Sequence, residues 1–144
     1  MEGERKSVTV MFCDVSGFTA MSEKLDPEDV HDIMDRTFEV ILNEVHRYEG
    51  TINQFLGDGV MALFGAPVAH EDHAHRALCA ALAIQDGLKP LAEEVRLKHG
   101  VDFKMRMGIN TGLVVVGAIG RDLRMDYTAV GDTTNLAARF LGLA

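Results

Sequence analysis

Residues 7–14 read Ser-Val-Thr-Val-Met-Phe-Cys-Asp, and the architecture of the chain follows from them. Nearly every residue in this run is apolar or β-forming, which is the pattern of a central strand that is covered on both faces. The run stops at a carboxylate, Asp14. It therefore predicts the middle strand of a sheet, with an acidic side chain at its C-terminal end.

Two helices are predicted after this strand. A short one follows Gly17 and Phe18. The segment Asp26-Pro27-Glu28-Asp29 then predicts the start of a long helix, because it combines an N-cap, a proline at the first helical position and acids at the positive helix end. Apolar residues keep the helical period as far as Tyr48, and Gly50 is placed to end the helix.

A β-hairpin is predicted next, with Asp58 at its tip. The runs Thr51–Leu56 and Val60–Phe64 are β-type, and Gly57-Asp58-Gly59 joins them with a turn that glycine favours. An Ala-rich helix follows from Glu71, which Gly87 or Pro90 is expected to interrupt.

The C-terminal third is predicted to contain three further strands and a helix. Alternation from Phe103 to Asn110 predicts a strand with one wet face. The other expected elements, in order, are a turn at Asn110-Thr111-Gly112, a strand at Leu113–Val116, a polar loop at Arg121–Asp126, a strand at Tyr127–Val130 and a helix at Thr133–Leu143. This order predicts one α+β domain over residues 1–144, with a mostly antiparallel sheet and helices packed on it.

Composition excludes several classes of partner. A net charge of -8 and a pI near 5.1 argue against a nucleic-acid groove or an anionic membrane surface, since both require clustered Lys and Arg. A phosphate ligand would then need metal ions. Cys13 and Cys79 are predicted to be small buried hydrophobes, which suits a cytoplasmic protein, and no stretch is apolar enough to insert into a membrane.

Asp14 and Asp58 are the candidate metal ligands. One ends a buried strand and the other tips a hairpin, so a sheet can bring the two carboxylates together. Mg²⁺ takes carboxylate oxygens together with substrate phosphates, and two such ions can activate a hydroxyl and neutralise a leaving group. The alternative is that each aspartate only caps a turn.

Three ordered motifs resemble those of the class III adenylyl/guanylyl cyclases. They are the first metal motif at Phe12–Thr19, the second at Phe55–Met61 and the Asn/Arg helix at Val130–Arg139. The resemblance covers essentially the whole chain and implies the class III cyclase fold, which is ferredoxin-like or palm-like. It also implies a head-to-tail homodimer with two Mg²⁺ or Mn²⁺ ions, in which each active site is shared between the two subunits.

The resemblance also implies roles for individual residues. Asp14 and Asp58 would hold both metals, with the Val15 carbonyl as a further ligand. The loop Gly17-Phe18-Thr19 would meet the triphosphate through its amides. Asn135 would orient the ribose, and Arg139, one helical turn later, would stabilise the charged α-phosphorus transition state.

The sequence departs from the family pattern in two places. At the base-recognition positions it carries Gln54 and Thr128, which can each donate or accept a hydrogen bond, so neither demands adenine or guanine. The chain also stops soon after Arg139, before the family's last strands and their triphosphate-binding lysine. Arg121 or Arg124 could supply part of that charge, and a solvated loop arginine is the alternative.

The predicted reaction is attack of the ribose 3′-hydroxyl on the α-phosphorus of ATP, giving cyclic AMP and pyrophosphate. Guanylyl cyclase activity is the nearest alternative. A diguanylate cyclase or a polymerase palm would use similar metals, but the predicted helix with Asn135 and Arg139 argues against both of these enzyme classes. The remaining alternative is a regulatory pseudo-cyclase that binds nucleotide or dimerises without turnover.

Overall fold

In the described part of the chain, helices pack on a five-stranded antiparallel sheet, which confirms the predicted α+β class. The computed structural model describes residues 4–55, 57–66, 68–119 and 122–126. The elements are β1 (Glu4–Ser16), α1 (Phe18–Lys24), α2 (Pro27–Arg47), β2 (Thr51–Phe55), β3 (Gly59–Phe64), α3 (His73–Gly87), α4 (Lys89–His99), β4 (Lys104–Ile119) and β5 (Asp122–Asp126). The strand order in the sheet is β2-β3-β1-β4-β5.

Strand β1 lies in the middle of the sheet and is buried on both faces, as its apolar run predicts. Met11, Cys13 and Val15 belong to the core cluster that includes helix residues. The alternate residues, which point to the other face of a pleated strand, are buried as well; they are Val8, Val10 and Phe12. The position of β1 is thus fixed by burial on two sides and by hydrogen bonds to β3 and β4 at its edges.

Helix α2 covers one face of the sheet with a continuous apolar stripe. Pro27 stands in its first turn, as predicted, and Asp26 is the extended N-cap residue. The buried side chains recur at helical spacing and are Ile33, Met34, Thr37, Ile41 and Val45. The predicted break between the next two helices is also confirmed, since α3 ends at Gly87 and Pro90 lies in the first turn of α4. Among the described helices, none combines the length and apolarity needed to cross a bilayer.

The turn predicted at Asn110-Thr111-Gly112 is wrong. These three residues continue β4 and pair with Val10, Thr9 and Val8 of β1. The buried Thr9 hydroxyl lies 2.8 Å from the Thr111 hydroxyl. These residue types favour a turn, but the strand forms instead because pairing with β1 satisfies the backbone hydrogen-bonding groups that a turn would leave to water.

The polar loop predicted at Arg121–Asp126 is wrong over most of its length. Residues Asp122–Asp126 form β5, which pairs with β4 from Val115 to Ile119. An outer strand at the edge of a sheet can be polar, so its composition resembles that of a loop. The strand predicted at Tyr127–Val130 and the helix predicted at Thr133–Leu143 lie outside the described residues.

Gly59 sets how closely β3 approaches β1. A Cβ at this position would lie 2.4 Å from the Cys13 carbonyl oxygen and 2.9 Å from the Asp14 Cβ. Gly59→Ala therefore has to push the strands apart, and we expect it to lower the free energy of unfolding by about 1–3 kcal/mol in urea denaturation.

Gly87→Ala is the matched control for Gly59→Ala. Its Cβ would meet only the Val40 Cγ1 atom, at 3.0 Å, which is the end of a side chain. Alanine also favours the helix at this position. If Gly59→Ala is no more destabilising than Gly87→Ala, then Gly59 does not limit how closely β3 approaches β1.

Candidate active site

The β1–β3 register brings the two predicted metal ligands to one end of the sheet. Asp14 pairs with Gly59, the residue that follows Asp58. The Val15 N–H donates to the Asp58 carbonyl oxygen at 3.3 Å, so the hairpin tip is tied directly to the end of β1. Gly57 supports this turn with a φ of 69°, a conformation that glycine adopts without strain. Asp14 and Asp58 thus lie on adjacent backbone segments.

The Asp14 carboxylate is buried, with 3% of its side chain exposed, and it is held by Arg106. The two residues lie opposite each other in the β1–β4 register. Arg106 Nε donates to Asp14 Oδ1 at 3.2 Å, and Nη2 donates to Oδ2 at 3.0 Å. This bidentate pairing compensates the cost of burying a charged carboxylate.

Arg106 is a site residue that the sequence analysis missed. The alternation in β4 placed it on a wet strand face together with Lys104. No local sequence pattern predicts the register that sets Arg106 opposite Asp14. The available signal was a cation on the exposed face of a strand, which is an ordinary surface position.

The predicted substrate loop, Gly17-Phe18-Thr19, is the junction of β1 and α1. Gly17 adopts a left-handed conformation with φ 71°, which lets the chain turn from β1 into α1. Phe18 and Thr19 begin α1, where Phe18 is half-buried and Thr19 is exposed. The segment thus starts three residues after Asp14 in the chain.

The donor set at this end of the sheet fits a hard divalent cation. In the described part of the chain, no group of three or more His, Cys, Asp or Glu side chains could hold a metal ion. The donors that the sequence resemblance names are the carboxylates of Asp14 and Asp58 and the carbonyl of Val15, and all of them are oxygens. Such oxygens suit Mg²⁺ or Mn²⁺, which leave other positions to water and phosphate.

The histidines near the start of α3 each contact a different partner. His70 Nε2 lies 3.0 Å from a Glu49 carboxylate oxygen. His73 Nδ1 lies 2.7 Å from the Thr9 hydroxyl, and His75 Nε2 lies 3.5 Å from Cys79 Sγ. Each of these three histidines is thus engaged in local packing or in a surface pair.

Of the remaining predicted site residues, the structure describes Gln54 and Arg124. Gln54 is exposed on the edge strand β2, in register with Met61. Arg124 pairs with Gly117, which lies roughly 35 Å along an extended β4 from Arg106. Arg121, Thr128, Asn135 and Arg139 lie outside the described residues.

Comparison with known proteins gives a consistent set of matches. A family model described as "Adenylate and Guanylate cyclase catalytic domain" matches residues 2–144. Adenylate cyclase 1 of Rhizobium meliloti (strain 1021) is 41% identical over 139 residues, which is 96% of this chain and 21% of that protein. The chain spans about a fifth to a quarter of the length of the curated relatives it matches.

Two solved structures have a similar fold. The adenylyl cyclase CyaB from P. aeruginosa superposes with a TM-score of 0.83 at 38% identity, covering 96% of this chain and 72% of that one. The guanylyl cyclase Cya2 superposes with a TM-score of 0.82, also at 38% identity, covering 96% of this chain and 71% of that one.

The reactivity of the Cys13 thiol, next to Asp14, measures how well packing shields this part of β1 from solvent. Burial, together with the neighbouring Asp14 charge, raises the pKa of the Cys13 thiol to about 12. Alkylation requires the thiolate. We therefore expect iodoacetamide at mildly alkaline pH to modify the half-buried Cys79 and spare Cys13, with both labelled in urea, as read by peptide mass mapping.

The same shift has a consequence for stability. An ordinary cysteine ionises near 9.0, so the free energy of unfolding should fall as the pH rises from about 9 to about 12. Modification of Cys13 at the same rate as Cys79 in the folded protein would contradict the closed packing of β1 described above.

Proposed function

This chain belongs to the adenylate and guanylate cyclase catalytic domain family, and we propose that it converts ATP to 3′,5′-cyclic AMP and pyrophosphate as a homodimer with two Mg²⁺ or Mn²⁺ ions. The observation that carries the proposal is the register that sets Asp14 beside the hairpin tip bearing Asp58. This register brings two acidic residues to the same end of the sheet, where they would hold the metals of a bound triphosphate.

The acidic residues position the reacting groups. Asp14, Asp58 and the Val15 carbonyl would hold the metals. When bound, the ions lower the pKa of the attacking hydroxyl and neutralise charge on the leaving phosphates. Because Asp14 is buried on a central strand, its carboxylate is fixed before substrate arrives.

The remaining chemistry is proposed for the Asn/Arg motif. Asn135 would orient the ribose, and the Arg139 guanidinium would spread its charge over the oxygens of the α-phosphate. Gly17, Phe18 and Thr19 would contact the triphosphate. The reaction then depends mostly on positioning and electrostatic stabilisation, as in other phosphoryl transfers.

ATP is proposed as the preferred substrate. A relative named adenylate cyclase is 41% identical to the chain. GTP is the second candidate. A protein named guanylyl cyclase and a protein named adenylyl cyclase are each 38% identical to this chain. Gln54 and Thr128 can turn to suit either base edge, so the preference should be modest.

The test of this proposal is competition between ATP and GTP. The protein is incubated with both nucleotides and Mn²⁺, and the products are separated by chromatography. We expect cyclic AMP to exceed cyclic GMP at equal nucleotide concentrations. A preference for GTP would overturn the choice of substrate, and no cyclic product in a protein that still binds nucleotide would indicate a pseudo-cyclase.

Neutralising either metal ligand should abolish cyclisation. We expect Asp14→Asn and Asp58→Asn each to lower kcat by about a hundredfold or more, because one charged ligand of the phosphate-binding metals is lost. Asp86→Asn, at an exposed acid near the end of α3, is the control and should leave kcat unchanged. Near wild-type turnover in either ligand variant would refute the metal assignment.

The homodimer is proposed on the family resemblance, which implies that two subunits share each active site. The edge of the sheet at β2 supports it, because Gln54 is exposed there and its neighbour Phe55 is 54% exposed. In the proposed head-to-tail pairing, Asp14 and Asp58 of one subunit face Gln54, Thr128, Asn135 and Arg139 of the other. The two-fold symmetry makes two equivalent sites.

We propose a cytoplasmic location from the thiol chemistry of the chain, and a nucleotide rather than a nucleic acid as its ligand from the net charge. Both cysteines are free thiols, which supports a reducing cytoplasmic location for the described domain. The net charge of -8 favours metal-bound nucleotide over nucleic acid as the ligand.

Mixing two inactive variants tests whether the sites are shared. Asp14→Asn and Arg139→Ala proteins are combined under conditions where subunits exchange, using a longer protein that includes any C-terminal extension. Each mixed dimer would have one doubly defective site and one intact site. With random pairing, roughly a quarter of wild-type activity should return.

Verified subunit exchange is the control for the mixing experiment. If mass measurements establish that mixed dimers form and activity still stays at background, each site is built within one chain and the shared-site proposal is wrong.

A further inference from the structure

We propose that Arg106 is an internal counter-ion that closes the acidic site of the metal-free protein and competes with divalent metal for Asp14. The inference rests on the proposed function in one respect, because it takes Asp14 to be a metal ligand. It assigns Arg106 a role before substrate binds, and that role can be measured without turnover.

Both Asp14 oxygens are already used in the structure. Arg106 donates to Oδ1 at 3.2 Å and to Oδ2 at 3.0 Å. A metal ion on either oxygen would stand within a few ångströms of the guanidinium. Two cations at such a short distance repel each other strongly, and the repulsion is strongest where water is excluded. Each oxygen keeps a further lone pair, so the guanidinium opposes the metal through its charge, and a movement of Arg106 away from Asp14 relieves that repulsion.

The two partners differ in their freedom to move. The Asp14 side chain is 3% exposed and lies on the central strand, whereas the Arg106 side chain is 51% exposed. The acid is therefore fixed, and the guanidinium can turn toward solvent on its flexible stem. Arg106 is the group that leaves when the metal arrives.

Pairing also explains what Arg106 contributes when metal is absent. A buried carboxylate without a partner is strongly destabilising. Arg106 supplies the positive charge until a metal replaces it. Removing the arginine should thus weaken the metal-free fold and strengthen metal binding, two effects of opposite sign at one residue.

Lys104 provides the matched control. It stands two residues before Arg106 on β4, in register with Ser16, and so lies on the same face of the strand. Lys104→Ala removes the same charge from nearly the same place, while both Arg106–Asp14 hydrogen bonds remain. Any general effect of net charge on metal affinity should therefore be equal in the two variants.

The experiment measures Mn²⁺ binding in the absence of nucleotide, by the loss of the free-ion electron paramagnetic resonance signal. We expect Arg106→Ala to bind Mn²⁺ about tenfold more tightly than the Lys104→Ala control. The melting temperature of metal-free Arg106→Ala should be lower than that of the wild type, and saturating Mn²⁺ should close most of that gap. Arg106→Lys keeps a cation there and should bind Mn²⁺ less tightly than Arg106→Ala.

The outcomes separate this inference from the proposed function. If Asp14→Asn weakens Mn²⁺ binding but Arg106→Ala binds no more tightly than Lys104→Ala, the counter-ion role is wrong and the metal site stands. If Asp14→Asn leaves Mn²⁺ binding unchanged, Asp14 is not a metal ligand, and both the inference and the metal site are overturned.

Discussion

The pairing of β1 with a neighbour on each edge is the constraint on which the site depends. At the level of Asp14, β3 supplies Gly59 on one side and β4 supplies Arg106 on the other. The glycine lets the hairpin approach until a Cβ would clash, which brings Asp58 to the same end of the sheet. The strand register thereby places Asp14 beside the hairpin tip that bears Asp58 and opposite Arg106, whose side chain pairs with its carboxylate.

Burial gives this arrangement its chemical character. A carboxylate on a central strand is held in place by packing, and a paired cation offsets the cost of burying its charge. The same charge helps to keep the neighbouring Cys13 thiol protonated. A strand that is apolar on both faces and ends in an acid can therefore hold that acid in a fixed position, which is what a metal ligand at a catalytic site would require.

The sequence predicted those parts of the fold whose signals are local. Local residue types decide three of these features. They are the apolar run of β1, the start of α2 at Pro27 and the glycine turn around Asp58. Where pairing with a distant strand decides the outcome, local signals failed: Thr111 looks like a turn residue but extends β4 opposite Thr9. Arg106 was missed for the same reason.

The most direct test of the central claim is a double-mutant cycle on Mn²⁺ affinity. Asp14→Asn, Asp58→Asn and the double variant are titrated by calorimetry under identical conditions. If the two carboxylates hold the same ions, the double variant should bind hardly worse than the weaker single variant, giving a coupling free energy of about 1 kcal/mol or more. Additive losses would mean that the two aspartates act at separate sites and would contradict the account.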